Sequence, residues 1–557
     1  DYQQAVLDNS QKHLKDKRIH IILFAILLTF LWLPLLQEQF DIVKINPLKG
    51  FTEKTEKPEL TYKSYSEGKY QAQLEKYVSE NFGFREDVIR IYNQYIWALF
   101  NKTYIKFLVP GEDNWLYYFG AVKDYYGTEQ YSAFSSAESA KDYFDKSTTM
   151  MCQIRNILKD YGIEFLSFMA PSKVYVYPEF LPKGEKDTTT VNSMEYYSKA
   201  LADMNFPNIE MTSWYRSMRD TFDYPVFPKM DNHWQFTAVY GFDSLFRFMN
   251  SLNDFGIPKI KYGKPEPYEL KRQSDEASLN LLFPVRNKNI DYKLNVEVEC
   301  DSSCRKPKVL FVGDSFIWAL HEQLPWRDIL EDVEVWFYED DVFKGFDLIH
   351  SKRKDVNILR SIMRADYVVF YSSGHQWYKA TYDFAEQALL ALCVSDSLME
   401  SETQRIADSL NISKEKARKK ILSEPYLVKG IENIEKPLIR NTEKIMMAQT
   451  INTIEEDKNW VEALKIQASI QGKNIDEIYD IEAYNILNDK PLLRDFTDVN
   501  DETIFNAKVN NLVKKWRGDV TMVDYLEKKA KDKNKDFETV IYEDARWVIR
   551  QEQNKQK

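Results

Sequence analysis

The sequence predicts an α/β protein in which a parallel sheet is flanked by helices, with an N-terminal transmembrane anchor and a C-terminal all-α repeat region. Three observations lead to this prediction. An uncharged apolar run lies near the N-terminus, short β-rich runs alternate with helical runs from about 106 to 385, and dense charges with helical periodicity follow from about 386. The predicted divisions are a tail, a membrane anchor, a stalk, an α/β domain and a helical repeat domain, at 1–18, 19–36, 37–62, 63–385 and 386–557.

The membrane anchor is predicted from residues 19–36, which read IHIILFAILLTFLWLPLL and contain no Asp, Glu, Lys or Arg. These 18 residues are just enough to cross a bilayer as a helix. Basic residues at 12, 15, 17 and 18 precede the run, and excess positive charge stays on the cytoplasmic side. We therefore expect a cytoplasmic N-terminus, with the rest of the chain outside. A cleaved signal peptide is the alternative, but no small-residue cleavage motif follows the run.

The overall composition argues against two classes of protein. The chain has 86 Asp and Glu residues against 75 Lys and Arg, which gives a formal net charge of −11. A nucleic-acid binder needs a basic face to displace counterions from phosphates, so that class is not expected. Hydrophobic residues make up 44% of the chain, too many for disorder over most of its length.

Alternating runs of β and helical character define the α/β domain. Residues 63–105 look helical, with a break at Gly83. Strands are predicted at 163–169, 308–312, 333–338 and 367–371, and helices between them at 236–252 and 352–364. Because ligands of open α/β sheets bind beyond the carboxyl ends of the strands, the site is expected there.

The C-terminal region contains an internal repeat at an offset of 62 residues. The matched positions pair Trp460 with Met522, Leu464 with Leu526, Ala468 with Ala530, Ile475 with Phe537, Ala483 with Ala545 and Ile486 with Val548. A third, degenerate copy is suggested near Ile406. The module is either a duplicated helical pair with structural duty alone or an appendage for docking or glycan binding.

Ser315 is the candidate nucleophile. It lies in Gly-Asp-Ser-Phe, directly after the predicted strand at 308–312 and before a helix-like stretch. A serine at a strand-to-helix turn is exposed at the edge of a sheet, and the helix N-terminus behind it favours developing negative charge. An ordinary loop with Ser as a helix cap is the alternative.

A base must accept the Ser315 proton, and histidine is the usual one. Six His residues occur in the chain; those at 13 and 20 precede or lie in the anchor, His321 follows Ser315 on the same helix, and His350 lies in a basic stretch. His233 and His375 remain. Asp231 precedes His233 by two residues and can orient its imidazole, so His233 is favoured over His375 as the base.

Several segments of the α/β domain together resemble a known family. The Gly-Asp-Ser-Phe block and the upstream Asp-x-His-Trp resemble the SGNH hydrolase-like domain of alginate O-acetyltransferases of the AlgJ/AlgX type, and the related DHHW proteins. NFGFREDVIRIYNQ, VPGEDNWLYY and APSKVYVYPE are similar to further family segments, in the same order, so the similarity spans about 65 to 375. Asn232 and Gln235 depart from the family pattern, where DHHW proteins have a first His and the acetyltransferases usually have Thr.

The resemblance implies an SGNH-like fold with Ser315 as nucleophile, His233 as base and Asp231 as orienting acid. It implies an exported O-acetyltransferase, anchored in a bacterial inner membrane, that passes acetyl groups through a serine acyl-enzyme to the hydroxyls of an exported or cell-envelope polysaccharide. A membrane-bound O-acyltransferase would deliver the acetyl group, so neither a cofactor nor a metal is expected. A carbohydrate acetyl esterase and a non-catalytic glycan-binding scaffold are the alternatives.

Overall fold

A computed structural model gives the fold of the chain. The residues that it describes are 2–48, 55–100, 102, 108–126, 136–184, 193–229, 231–268, 280–281, 291–300, 302–373, 381–431, 439–490, 492–493, 505, 509, 512–513, 516–517, 519–533 and 535–556.

A long N-terminal helix, α1, runs from Tyr2 to Phe40. Its segment Lys17–Phe40 has a mean hydropathy of 2.5 and is long and apolar enough to cross a membrane. The predicted anchor at 19–36 lies inside this segment. The helix takes the first residues of the predicted stalk, whose described remainder, 41–48 and 55–61, is neither helix nor strand.

Three helices follow: α2 (Tyr62–Ser66), α3 (Lys69–Asn81) and α4 (Arg85–Phe100). The predicted helical character and the break at Gly83 are confirmed from 63 to 100; residue 102 is not helical, and 101 and 103–105 lie outside the described residues. A side chain at Gly83 would collide with the backbone carbonyl of Pro34 and with Gln37, so the turn between α3 and α4 packs against the last turns of α1.

The α/β part of the chain contains thirteen strands in its described residues. They are β1 (Leu108–Pro110), β2 (Leu116–Tyr118), β3 (Glu164–Met169), β4 (Asn208–Glu210), β5 (Lys259–Tyr262), β6 (Glu266–Tyr268), β7 (Asp291–Lys293), β8 (Val296–Glu299), β9 (Lys308–Gly313), β10 (Asp332–Phe337), β11 (Asp341–Lys344), β12 (Ile349–Lys352) and β13 (Tyr367–Ser372).

The central sheet is mixed. Its strand order is β12-β11-β10-β9-β13-β3-β4, in which β10, β9, β13, β3 and β4 are parallel and β11 and β12 form an antiparallel edge. Each predicted strand is present, with bounds that differ by one residue at most. The α/β class is confirmed, and the antiparallel edge makes the sheet mixed rather than purely parallel.

Helices occupy the segments between the strands and the region after them. They are α5 (Phe119–Tyr126), α6 (Ala137–Lys159), α7 (Lys173–Val176), α8 (Ser193–Asp203), α9 (Met211–Met218), α10 (Ala238–Asn253), α11 (Trp318–Gln323), α12 (Trp326–Ile329), α13 (Ile358–Arg364), α14 (Phe384–Cys393), α15 (Asp396–Leu410), α16 (Lys414–Ser423), α17 (Thr442–Glu456), α18 (Lys458–Gln471), α19 (Ile475–Leu487), α20 (Val520–Asp532) and α21 (Phe537–Gln556). The predicted helix at 236–252 is confirmed as α10.

The predicted helix at 352–364 is only partly correct. Residue 352 ends strand β12, a short 3-10 turn occupies Arg353–Asp355, and the helix α13 begins at Ile358. Asn357 caps that helix, because its side-chain oxygen accepts the backbone N–H groups of Leu359 and Arg360. Of the basic residues before the cap, Lys352 belongs to the antiparallel edge of the sheet, and Arg353 and Lys354 to the 3-10 turn.

Both faces of the sheet are covered. Every residue of β13 is buried. Phe165 and Phe168 point to opposite faces of β3, because alternate strand residues do so. The Phe165 ring contacts Phe384 of α14, and the Phe168 ring stacks on Phe242 of α10.

The helices after the sheet belong partly to its core. The predicted domain boundary at 385/386 falls within α14, whose buried residues join the same apolar cluster as the strands. This cluster continues through α15 and α16 to Ala448 of α17. The residues matched by the repeat lie in the pairs α18–α19 and α20–α21, where Leu464, Ala468 and Ala483 are buried in one cluster and Leu526, Ala530 and Ala545 in another.

Candidate active site

Ser315 lies at the carboxyl edge of the central sheet. Strand β9 ends at Gly313, and Ser315 begins a short 3-10 turn that leads into α11. A side chain at Gly313 would collide with the backbone carbonyl of Tyr371 on the neighbouring strand β13. Glycine at this position therefore lets the two strands approach closely where the chain turns toward Ser315.

Asp314 fixes that turn from within the core. One of its carboxylate oxygens accepts the backbone N–H of Phe316 at 3.0 Å, which caps the turn. The other accepts the backbone N–H and the hydroxyl of Ser373 at 2.7 and 2.6 Å. Burial raises the pKa of Asp314, and the bonds to Ser373 oppose this rise. The ends of β9 and β13 are thereby joined beneath the candidate nucleophile.

The structure brings Ser315, His233 and Asp231 together. The His233 Nε2 atom lies 2.9 Å from the Ser315 Oγ atom, and its Nδ1 atom lies 3.5 Å from Asp231 Oδ1. The same Oδ1 atom accepts the His233 backbone N–H at 2.9 Å. The loop before α10 therefore holds the imidazole between a hydroxyl and a carboxylate, as a serine nucleophile requires.

Asp231 is buried, with 8% of its surface exposed, yet the contacts around it favour its ionised form. Burial alone would raise its pKa, but hydrogen bonding to His233 and the nearby charges of His233 and Lys173 lower the pKa below its ordinary value. The Gln235 amide donates to its second oxygen at 3.3 Å. An ionised carboxylate at this position stabilises an imidazolium as His233 takes up a proton.

Lys173 positions the loop that carries Asp231. Its buried ammonium group lies at the start of α7 and donates to the backbone carbonyls of Leu116, Pro228, Lys229 and Asp231 at 2.6 to 2.9 Å. A buried cation is costly unless such partners surround it. Lys173 thus ties the end of the β1–β2 hairpin to the loop at 228–231.

The Trp234 ring lines the cleft and also packs in the core beneath it. It is 1% exposed, and its indole N–H donates to the backbone carbonyl of Phe316 at 3.2 Å. A side chain at Gly241 of α10 would collide with the Trp234 ring. The indole therefore connects α10, the loop with His233 and the turn with Ser315.

A cleft of about 470 Å³ opens onto these residues. It is lined by Asp231, His233, Trp234, Gln235, Phe236, Tyr292, Lys293, Ser315, Phe316, Trp318, Ala319, Glu322 and Gln323. Aromatic rings next to polar side chains suit the faces and hydroxyls of a sugar. The volume has room for a small acyl donor or for part of a polymer.

Tyr338 is a site residue that the sequence reasoning missed. It follows β10 with a positive φ of 52°, and its backbone N–H donates to the Gly313 carbonyl at 2.8 Å. Burial raises the pKa of its phenol to about 12, and the nearby side chain and backbone of Ser315 oppose this rise. The feature of the sequence that could have identified Tyr338 is its position directly after β10, a strand parallel to β9.

The other candidate histidines lie elsewhere or outside the described residues. His321 packs on Trp326, and His350 lies on β12, 2.7 Å from Asp341. His375, the rival base, lies outside the described residues. Among the described residues, no group of three or more His, Cys, Asp and Glu side chains is arranged to hold a metal ion.

Comparisons with known proteins relate one segment to a family. Residues 108–241 match the SGNH hydrolase-like domain of the acetyltransferase AlgX, a segment that contains Asp231 and His233 and ends before Ser315. A comparison with curated proteins finds no match.

Among solved structures, the chain is similar to the O-acetyltransferase domain of Pseudomonas putida AlgJ, with 14% identity and a TM-score of 0.32 over 49% of this chain and 92% of that one. For Pseudomonas aeruginosa AlgX the identity is 12% and the TM-score 0.32, over 50% of this chain and 66% of that one. For Bacillus cereus PatB1 the identity is 12% and the TM-score 0.29, over 48% of this chain and 96% of that one. The family match over 108–241 confirms the predicted resemblance to SGNH hydrolase-like acetyltransferase domains of the AlgX type.

Proposed function

We propose that this chain is an exported, membrane-anchored O-acetyltransferase that transfers acetyl groups to the hydroxyls of a polysaccharide. The observation that carries the proposal is the 2.9 Å contact between Ser315 Oγ and His233 Nε2, with Asp231 behind the imidazole. The family match over 108–241 supports an acetyltransferase rather than another serine enzyme. The cleft at this site has the aromatic and polar lining that a sugar needs.

The proposed reaction has two acyl transfers. His233 Nε2 takes the proton of Ser315 as Oγ attacks the carbonyl carbon of the acetyl donor. The tetrahedral adduct collapses, the bond to the leaving group breaks, and His233 returns its proton to that group, leaving acetyl-Ser315. A sugar hydroxyl then attacks the acetyl carbon and gives its proton to His233. Collapse of the second adduct breaks the Ser315 ester bond, and the imidazole reprotonates Oγ.

We place this reaction outside the cytoplasm of a bacterium. The apolar segment Lys17–Phe40 would anchor the chain, and the preceding basic residues favour a cytoplasmic N-terminus. A membrane-bound O-acyltransferase would pass acetyl groups across the bilayer and serve as the donor for Ser315. This partner explains how acetyl groups reach an exported enzyme without a bound cofactor.

The fate of the acetyl group tests the proposal against a carbohydrate esterase. The full chain in detergent is given p-nitrophenyl acetate together with neutral, amino and uronic acid oligosaccharides, and acetylated sugar is measured against free acetate. A transferase produces acetylated sugar with at least one acceptor, and the Ser315→Ala variant produces none. Release of acetate alone, at an equal rate with and without sugar, would establish the esterase instead. Failure of wild-type Ser315 to become acetylated would favour a glycan-binding scaffold.

A further inference from the structure

Helix α4 buries polar side chains and exposes apolar ones. Asn93 is 5% exposed and Glu86 is also buried, whereas Ile91 and Leu99 are 54% and 63% exposed. At about 100° per residue, the exposed apolar residues share one face of the helix. This face, here called the α4 stripe, consists of Val88, Ile91, Tyr92, Tyr95 and Leu99. A helix at the surface of a water-soluble domain normally shows the opposite pattern.

The polar face of α4 is the one that packs on the rest of the chain. The Asn93 amide donates to the backbone carbonyl of Asn280 at 3.0 Å. Arg90 donates to the carbonyls of Asn46 and Pro47, which lie shortly after α1. These contacts fix the rotation of α4 about its axis, so the α4 stripe points away from the domain.

The same helix begins beside the end of the apolar helix α1. The turn at Gly83 packs against Pro34 and Gln37, and the Gln37 side chain is buried there. Gln37 also holds the chain that leaves the helix, because its amide group pairs with the backbone N–H and carbonyl of Val43. A segment that crosses a bilayer would therefore place the start of α4 at the outer surface of that bilayer.

Exposed apolar side chains cluster in this part of the chain. Between α1 and the end of α4 they include Phe40, Ile42, Val43, Leu60, Tyr62, Tyr65, Val78 and Phe100, besides the α4 stripe. Phe40, Ile42 and Val43 lie at the end of α1 and directly after it. The two tyrosines of the stripe have rings that suit the level of lipid headgroups, where one end of a side chain is apolar and the other wet.

We infer that α4 lies in the outer interface of the membrane, with the α4 stripe inserted among lipid headgroups and upper acyl chains. The inference rests on the membrane anchoring proposed above and adds a second contact to it. The occupant is lipid because the stripe begins where the span ends and carries two tyrosines, which are enriched at membrane–water interfaces. Two contacts would hold the catalytic domain at a fixed tilt over the bilayer, where a membrane-embedded donor could reach Ser315.

Fluorescence quenching in nanodiscs of phosphatidylethanolamine and phosphatidylglycerol tests this contact. The full chain, with its four Cys residues replaced by Ala, carries an NBD label at Ile91→Cys, at Leu27→Cys in the span, or at Lys199→Cys, an exposed position of α8. Lipids with a nitroxide near the headgroup should quench the label at 91, and lipids with a deep nitroxide the label at 27. The label at 199 should respond to neither.

Quenching at 27 without quenching at 91 would overturn the inference and leave the anchor intact. No quenching at 27 would overturn the proposed anchoring as well. A label at 91 that is shielded only when a membrane acyltransferase is added would assign the stripe to a protein partner. Should the variant without Cys fail to fold, the wild-type chain can be photolabelled by a diazirine lipid. The tryptic peptide 91–102, which contains four residues of the stripe, should then carry the label, and its absence there would contradict the inference.

Discussion

At the scale of single residues, Lys173 shows how the site depends on a group that does not react. Its ammonium group satisfies carbonyls from the β1–β2 hairpin and from the loop at 228–231, and its charge helps to lower the pKa of Asp231. Removal of this one group would leave several buried carbonyls without a donor. Asp231 would then lose the hydrogen bond from Lys173 to its backbone carbonyl and the nearby positive charge.

We expect Lys173→Met to destabilise the fold by at least about 2 kcal/mol, because unsatisfied buried carbonyls are costly. The rate of acetyl transfer should fall further than stability alone explains, since Asp231 is displaced. Thermal unfolding and turnover, measured on the folded fraction, check this expectation. Lys229→Met is the matched control, because Lys229 forms a more exposed ion pair with Asp113. Equal losses of stability and of rate in the two variants would show that Lys173 does not position Asp231.

Tyr338 offers a hydroxyl beside the nucleophile. A tyrosine phenol is neutral at physiological pH, and burial raises the pKa of Tyr338 further, to about 12, so its hydroxyl can donate to an oxygen that becomes negative near Ser315. Tyr338→Phe should lower the transfer rate roughly 10²-fold, the usual cost of one such donor, with little change in melting temperature. Tyr224→Phe, which removes a hydroxyl paired with Tyr240, should leave the rate unchanged. A Tyr338→Phe enzyme with full activity would exclude this role.

At the scale of elements, the sequence predicted the buried strands well because each is a short run of mostly apolar residues. Strands β3, β9, β10 and β13 were all recognised in this way. The antiparallel edge was not recognised, because β12 is exposed and carries His350 and Lys352, which resemble a polar connector. Edge strands often carry charge, which prevents pairing with other chains. The same property hides them from a search for apolar runs.

Gly241 of helix α10 packs closely against the ring of Trp234, which lies at the site. Alanine in a helix is ordinarily more stable than glycine by about 1 kcal/mol. Gly241→Ala should instead destabilise the protein by roughly 1–3 kcal/mol, the usual cost of overpacking, because the new methyl group meets the Trp234 ring. Transfer activity should fall as the ring shifts toward His233. Ser244→Ala on the same helix is the control, and calorimetry with turnover is the measurement. A stabilised, fully active Gly241→Ala variant would contradict the packing described here.

At the scale of the whole molecule, the buried clusters predict where the chain can be shortened. The apolar cluster of the sheet continues through α14, α15, α16 and part of α17, whereas the cluster of α20 and α21 is separate. A chain that ends at residue 493 should remain folded and still acetylate Ser315. A chain that ends at 385 should be insoluble or lose cooperative unfolding. Solubility and thermal unfolding of both truncations test this, and a stable chain ending at 385 would show that α14 is dispensable.

Much of the candidate site could be read from sequence because its parts lie in short motifs. Asp231 and His233 are two residues apart, and Ser315 directly follows a recognisable strand. Tyr338 and the bond from Asp314 to Ser373 could not be assigned, because each depends on strands far apart in sequence that meet at one edge of the sheet. The role of Lys173 could not be assigned either, because its partners lie in the β1–β2 hairpin and in a loop more than 50 residues away. The apolar face of α4 was also missed. Its residues have ordinary helical spacing, and only the fold shows that the polar face is the buried one.

The most direct test of the central claim is the rate at which acetyl accumulates on Ser315. The protein is mixed with p-nitrophenyl acetate, quenched in acid at timed intervals, and digested for mass spectrometry of the peptide that contains residue 315. We expect wild-type protein to carry one acetyl group there, His233→Ala to acetylate at least about 10³-fold more slowly, and His375→Ala to resemble wild type. Acetylation at a residue other than Ser315, or a normal rate in a folded His233→Ala protein beside an inactive His375→Ala, would contradict the account.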